Sequence, residues 1–105
     1  MNDNQKLKSK FRNSKTWKQF RHKINVKQNG KDYITGAKLR KYANLHHCDL
    51  NVEHYDDISN EEHFVYLNNG CHDAVHYLWT YYKKDETVID RLVEILNRMK
   101  EINNG

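Results

Sequence analysis

Four of the seven histidines in this 105-residue chain form two close pairs. His46 and His47 are adjacent, whereas His72 and His76 are four residues apart. Because about four residues make one turn of an α-helix, the second pair is expected to project from one helix face. Imidazole nitrogens are common ligands of divalent transition metals. The spacing therefore predicts a compact metal site, built from a helix and a nearby extended segment.

The segments around these pairs have distinct sequence patterns. Residues 39–45 lead into an extended segment that ends at the first histidine pair, and residues 48–62 form an acidic loop. Aromatic and β-branched side chains at residues 63–67 are typical of a strand. An Asn-Asn-Gly turn at residues 68–70 precedes a helix that starts near Cys71, with its second asparagine as the cap.

Further segments are predicted to flank this core. Residues 1–12 are polar and basic, so we expect a flexible arm. Apolar residues at helical spacing predict a basic helix from Ser14 to about Val26, and residues 32–36 are expected to be a short extended piece. A last helix runs to about Ile102, and its wide apolar face is expected to pack in the core or, failing that, on a partner helix or second copy.

The order of elements predicts an α+β fold with a ββα core. A short antiparallel hairpin and a helix form this core at about residues 39–83. A basic helix precedes the core and another helix follows it, in a single domain over residues 13–105. At 37% apolar residues and a mean hydropathy of −1.08, the hydrophobic core is expected to be thin.

Composition also restricts the compartment. The chain has neither a long apolar run nor a charged start followed by an apolar segment, so we expect no membrane span and no signal peptide. Cys48 and Cys71 do not form a Cys-x-x-Cys pair, and two free thiols in a reducing compartment are favoured over a disulfide. The expected location is the cytoplasm.

Charge is divided unevenly along the chain. Residues 1–41 hold thirteen Lys or Arg and two acids, whereas residues 42–105 hold five and twelve. A basic half beside a histidine-rich acidic half indicates a surface that binds a polyanion. The predicted phosphate-binding residues are Lys8, Lys10, Arg12, Lys15, Lys18 and Lys23.

The combined motifs resemble those of the HNH endonucleases of the ββα-metal superfamily, in the phage or mobile-element type without a zinc knuckle. The resemblance covers residues 32–79. It rests on Leu45-His46-His47, on the strand at residues 63–67, and on the His-x-x-x-His helix starting at Cys71. The stretch at residues 33–39 is also similar to members of this family. Each motif alone is weak, but their order and spacing agree.

The resemblance implies roles for five histidines. His47 matches the general base that takes a proton from the attacking water. His63 stands where the family has an asparagine that braces the base loop or binds metal, and Asn60 could supply the amide instead. The implied metal ligands are His46, His72 and His76.

The implied cofactor is one divalent ion. Three imidazoles suit Zn, Ni, Co or Mn better than Mg, although the sequence does not choose among these five metals. Carboxylates that could orient an imidazole are Asp49, Asp73 and Glu62.

The leading interpretation is a metal-dependent HNH endonuclease that nicks or cuts DNA, expected to be double-stranded, with His47 as base. If the gene is phage-encoded, the enzyme acts in the bacterial host cell. The chain is expected to be a monomer or a homodimer through its C-terminal helix. One alternative is a non-catalytic, metal-stabilised protein that binds nucleic acid. Another is a structural zinc protein that uses Cys48 and Cys71 with two histidines.

Overall fold

A computed structural model describes residues 2–104, with the backbone alone at residue 4, and the chain divides into two compact units, one up to His72 and one from Asp73. The predicted α+β fold is confirmed. The extent of a single domain over residues 13–105 stays a prediction. The elements are α1 (Asp3–Arg12), α2 (Lys15–Lys27), β1 (Asn44–His47), β2 (Phe64–Leu67), α3 (Asn69–Tyr82) and α4 (Val88–Asn104), with single-turn 3-10 helices at Val52–His54 and Glu61–His63.

The N-terminal segment is helical, so the expectation of a flexible arm at residues 1–12 is wrong for residues 3–12, which form α1. Its first turn is closed by a capping box. The backbone N–H of Gln5 donates to the side chain of Asn2 at 2.8 Å, and the backbone N–H of Asn2 donates to the side chain of Gln5 at 2.9 Å. At the other end, the ring of Phe11 lies 5.5 Å from that of Trp17. Local capping and one aromatic anchor therefore order a segment whose composition is polar.

Helix α2 forms where the apolar spacing predicts it. The hydroxyl of Ser14 accepts the backbone N–H of Trp17 at 3.2 Å and caps the first turn. Trp17, Phe20 and Ile24 recur at intervals of three and four residues, so they share one face of the helix, and this face is buried. Together with Phe64 and Tyr66, they form the hydrophobic core.

The hairpin of β1 and β2 determines which way each histidine points. The strands are antiparallel, with His46 opposite Val65 and His47 opposite Phe64. Because successive side chains on a strand point to opposite faces, His47 shares the face of Phe64 and Tyr66, which are buried in the aromatic core. His46 lies on the other face. A register shift of one residue would exchange these two environments.

Polar side chains in α2 and at its C-cap hold the second strand in place. The backbone N–H of Tyr66 donates to the Gln28 side chain at 2.7 Å, and the Gln28 amide donates to the Tyr66 carbonyl at 3.0 Å. The guanidinium of Arg21 donates to the Tyr66 hydroxyl. An amide side chain thus satisfies the ladder groups that a two-stranded sheet leaves unpaired, and it fixes β2 against α2.

Residues 32–36 form a turn rather than the expected extended piece, and the only bridge near them, among the residues described, joins Lys31 to Lys38. The carboxylate of Asp32 organises this turn. One of its oxygens accepts the backbone N–H groups of Ile34 and Thr35, each at 2.8 Å. A short polar side chain that bonds to its own following backbone favours a turn over an extended strand.

Asp32 also joins this turn to the start of α3. Its second oxygen accepts the backbone N–H of Asn68 at 2.7 Å, and only 2% of the residue is exposed. Burial raises the pKa of Asp32, but hydrogen bonds from the backbone of Thr35, Asn68 and Ile34 outweigh it, so the pKa lies below its usual value. A buried carboxylate therefore holds this turn against the start of α3.

Helix α3 starts at Asn69, two residues before the predicted start at Cys71. Asn68, rather than Asn69, precedes the helix, and its carbonyl accepts the backbone N–H of His72 at 3.0 Å. The Asn68 side chain accepts the backbone N–H of Arg40 at 2.8 Å. The loop before the hairpin therefore fixes the turn from which the histidine helix begins.

The C-terminal helix α4 does not bury its apolar face. No residue of α4 is buried, and Ile95, Leu96 and Met99 are each about half exposed. The expectation that this face packs in the core is wrong, and a homodimer through it stays a prediction. None of the helices that the structure describes has the length and apolar content needed to cross a membrane.

Candidate active site

His46 and the helix histidines form the first cluster. His46 is 8% exposed, and its ring centroid lies 5.3 Å from that of His72, with the ring planes at 69°. Helix α3 runs without a break from Asn69 to Tyr82, so it carries His76 one turn after His72. The three histidines each offer a ring nitrogen, and these atoms lie within 4.8 Å of one another.

This donor set fits a divalent transition metal. Ligand nitrogens around tetrahedral zinc are about 2.0–2.1 Å from the metal, which places them roughly 3.3 Å apart. Side-chain rotations could bring atoms within 4.8 Å of one another to that spacing. With these three histidines as the protein ligands, a four-coordinate ion would keep one position for a water or a substrate oxygen. The histidine groups could therefore hold a metal, as the sequence predicts.

His47 lies in a different environment. Its ring stacks on Phe64, with centroids 4.2 Å apart and planes at 11°, and the ring of His63 is 6.4 Å away. The Nε2 atom of His47 is buried and has no hydrogen-bond partner in the described part of the chain. Stacking on a core aromatic fixes the plane of the imidazole, so this histidine is held in place by packing as well as by the strand.

The surroundings of His47 favour its neutral form. Burial lowers the pKa of His47 below its usual value. The carboxylate of Asp49 opposes this effect, and the neighbouring His63 adds to it. A histidine that is neutral near pH 7 can accept a proton, which is the property a general base needs.

His63 faces His47 rather than His46. The amide of Asn60 lies 3.1 Å from the Nε2 atom of His63, and the oxygen of the same amide accepts the backbone N–H of Glu62 at 3.1 Å. The backbone N–H of Cys48 donates to the His63 carbonyl at 2.7 Å. His63 is thus tied to the loop that follows His47, and Asn60 supplies an amide beside it.

Of the three carboxylates considered as orienting groups, Asp49 belongs to the His47 face. Its carboxylate binds Nδ1 of His54 at 2.7 Å and accepts the backbone N–H of Asn51 at 2.9 Å. These two contacts lower the pKa of Asp49, and the same carboxylate raises the pKa of His54. Asp73 and Glu62 are exposed on α3 and on the turn before β2.

Neither cysteine joins a cluster of metal-binding type within residues 2–104, and both are free thiols. Burial raises the pKa of Cys48. Burial and a hydrogen bond with Asp32 raise the pKa of Cys71. Both shifts disfavour the thiolate form that binds zinc, so the structure offers no support to a structural zinc site with cysteine ligands.

The basic residues are divided between two helices and differ in their partners. Lys23 forms an ion pair with Glu61, and Lys27 lies 3.7 Å from the same carboxylate. Lys15 and Lys18 are exposed and line a shallow surface pocket on α2. The remaining three predicted phosphate contacts belong to α1 and are Lys8, Lys10 and Arg12.

A second group of residues that could hold a metal was not predicted from the sequence. His47, Asp49 and His63 each offer one ligand atom, and these atoms lie within 4.8 Å of one another. One signal was present in the sequence, because positions 47 and 49 are two apart and an extended chain places such residues on one face. The approach of His63 depends on the pairing of the strands, which spacing alone does not reveal.

The chain was also compared with known proteins. It matches no family model, no curated protein and no solved structure. The assignment of a function therefore depends on the residues and geometry of the two clusters.

Proposed function

We propose that this chain is a metal-dependent endonuclease of the HNH type that hydrolyses DNA phosphodiester bonds, with His47 as the general base. We propose double-stranded DNA as the substrate and the cytoplasm as the compartment. If the gene is phage-encoded, this is the cytoplasm of the bacterial host. One divalent ion, Zn, Ni, Mn, Co or Mg, is the proposed cofactor.

The observation that carries the proposal is the division of two adjacent histidines between two environments. His46 lies against His72, in a group that could hold a metal. His47 lies on the opposite face, held over Phe64, with its pKa lowered mainly by burial. A hydrolytic site needs both a metal-binding group and a neutral base, and this hairpin supplies them from neighbouring positions.

In the proposed reaction, His47 accepts a proton from the attacking water. Its Nε2 atom is enclosed, so the proposal assigns the proton to Nδ1 and places the existing hydrogen on Nε2. The water oxygen forms the new bond to phosphorus, and the bond to the leaving oxygen breaks. Phe64 contributes by holding the ring plane, which reduces the freedom lost when water and base align.

The metal would be held by His46, His72 and His76. A divalent ion bound there would withdraw negative charge from the phosphate and the leaving oxygen. The chain itself contributes the position of these ligands. Helix α3 fixes two of them one turn apart, and the bonds of Asp32 and Asn68 fix the turn before that helix.

DNA binding is assigned to basic side chains on α1 and α2. Exposed Lys15 and Lys18 are the best placed on α2, whereas Lys23 shares Glu61 with Lys27. Contacts to phosphates position a protein without reading the sequence. We therefore expect weak sequence preference and binding that weakens steeply as salt is added.

The proposal is tested by nicking of supercoiled plasmid in the presence of each candidate metal. We expect His47→Ala to lower the single-turnover rate by about 10²–10⁴-fold, the usual contribution of a general base. The matched control is His22→Ala, because His22 is exposed on α2. His22 lines the same surface pocket as Lys15 and Lys18, so the rates are compared at saturating DNA, where a change of affinity has no effect. Equal rates for wild type and His47→Ala would refute the assignment of the base.

A second candidate is a non-catalytic, metal-stabilised protein that binds nucleic acid. The observation that favours it is the burial of Nε2 of His47, which water does not reach in this conformation. Under this alternative, metal raises the melting temperature, but no metal supports nicking by the wild type. Nicking that depends on metal and on His47 excludes it.

A further inference from the structure

We propose that His47, Asp49 and His63 form a second site for a divalent transition metal, separate from the group that contains His46. One ligand atom from each of the three residues lies within 4.8 Å of the others. All three residues belong to the unit that ends at His72. Two imidazoles and a carboxylate are a common protein donor set for such metals.

The two histidines of this group have unsatisfied nitrogens. Nε2 of His47 and Nδ1 of His63 are buried, and neither has a hydrogen-bond partner among the residues that the structure describes. Buried polar atoms in folded proteins are usually paired, so two orphans in one cluster call for an explanation. A metal ion that accepts both lone pairs satisfies both atoms at once.

Asp49 is oriented in advance for a role as ligand. One oxygen accepts the backbone N–H of Asn51 at 2.9 Å, and the other binds Nδ1 of His54 at 2.7 Å. Each carboxylate oxygen has two lone pairs, so both retain the capacity to bind a metal. A ligand that is itself held by hydrogen bonds loses little freedom when the metal binds.

Asn60 is expected to respond to the metal. A metal bound to Nδ1 of His63 would leave the ring hydrogen on Nε2. In the structure, this Nε2 atom lies 3.1 Å from the amide of Asn60. This amide is exposed, so it can turn its oxygen toward that hydrogen while water replaces its bond to the backbone of Glu62. An amide oxygen behind a ligating histidine would then fix the ring.

The second site would regulate the first, and this consequence rests on the proposed function. A metal on Nε2 of His47 places the ring hydrogen on Nδ1, the nitrogen assigned to accept a proton from water. The base then has no free lone pair. Metal in excess of the first equivalent is therefore expected to suppress nicking. Mg, which favours oxygen ligands, is expected to occupy this site poorly.

The binding test counts zinc ions bound by the full chain, by titration against a chelator of known affinity. We expect two ions for the wild type, and one ion for Asp49→Asn, which removes the carboxylate charge without a large change of shape. Asp56→Asn is the matched control, because it makes the same change in the same loop, and we expect it to bind two ions. Circular dichroism checks that each variant folds.

His72→Ala separates this inference from the proposed function. If Asp49→Asn loses no ion while His72→Ala loses one, the second site is refuted and the first stands. If Asp49→Asn loses one ion and His72→Ala loses none, the second site stands and the proposed catalytic metal fails. Loss of an ion from Asp56→Asn as well would also overturn the inference, because the effect would then be one of general charge.

The regulatory arm measures nicking as zinc is raised beyond one equivalent, in the presence of a fixed catalytic metal. We expect the wild-type rate to fall at least about 10-fold, and the rate of Asp49→Asn to fall much less relative to its own starting value. Equal relative inhibition of the two proteins would show that zinc acts elsewhere, and it would overturn the regulatory role.

Discussion

His46 and His47 are neighbours on one strand, yet their side chains lie in two different chemical settings. His46 is nearly buried against another imidazole, on the face that leads to the histidine helix. His47 lies on the aromatic face, over Phe64 and beside the acidic loop. The alternation of a strand is enough to place the proposed metal ligand and the proposed base on opposite faces, one residue apart. The register of the hairpin, rather than the number of histidines, therefore decides which imidazole lies against His72 and which lies over Phe64.

A large effect is expected when one proposed metal ligand is removed and His47 is left intact. We expect His72→Ala to lower the nicking rate at least 100-fold, since loss of a ligand should cost no less than the roughly 10–100-fold seen when supporting residues are lost. The stabilisation by metal should also shrink, because an ion at 100 times its dissociation constant adds about 2.7 kcal/mol. Plasmid nicking and thermal unfolding with and without metal measure the two effects, with His22→Ala as control. Undiminished nicking by His72→Ala would show that the His46 group does not hold the catalytic metal.

The next effect is expected at Asp32, whose carboxylate holds the turn before helix α3. We expect Asp32→Asn to lower the free energy of unfolding by about 1–3 kcal/mol, because the new amide group meets the N–H of Asn68 as donor against donor. Urea unfolding measures this loss, and Asp56→Asn provides the matched control. A loss equal to that of the control would show that Asp32 does not hold the turn.

Acid unfolding sharpens the same prediction. Because the fold lowers the pKa of Asp32, its contribution to stability is present above the unfolded value of ~3.9 and is lost as pH falls through the lower folded value. We expect Asp32→Asn to lack this part of the wild-type pH dependence. Parallel curves for the two proteins below pH ~3.9 would contradict the assignment.

A smaller effect is expected on the His47 side. Asn60→Ala removes the amide beside Nε2 of His63, so we expect nicking to fall about 10-fold while metal binding at the His46 group is unchanged. Asn51→Ala is the control, because Asn51 caps the other 3-10 turn in the same way. Equal losses of rate for these two variants would attribute the effect to capping alone.

The smallest effect is on DNA affinity. We expect Lys15→Gln to reduce the slope of log affinity against log salt by about 1, as for one lost phosphate contact. Lys23→Gln should reduce it less, because Lys23 already pairs with Glu61. Fluorescence anisotropy with labelled DNA over a range of salt concentrations measures both slopes. A larger change for Lys23→Gln would reverse the assignment of the binding surface.

The sequence predicted the elements that have strong local signals. The hairpin, α2 and the histidine helix follow from periodicity and capping, and they place the two histidine pairs where the structure has them. The helix at residues 3–12 was missed because its capping box is an Asn–Gln pair within a polar segment. The bond from Asp32 to Asn68 and the approach of His63 to His47 depend on contacts between segments far apart in the chain, which no local pattern encodes.

The separation of the two neighbouring histidines is tested most directly by NMR of the assigned histidine ring nitrogens during a zinc titration. We expect His46, His72 and His76 to shift together over one range of zinc concentration. We expect His47 to follow His63, with a different dependence on zinc. If His47 shifts in step with His46, both histidines belong to one metal site, and the division between ligand and base is wrong.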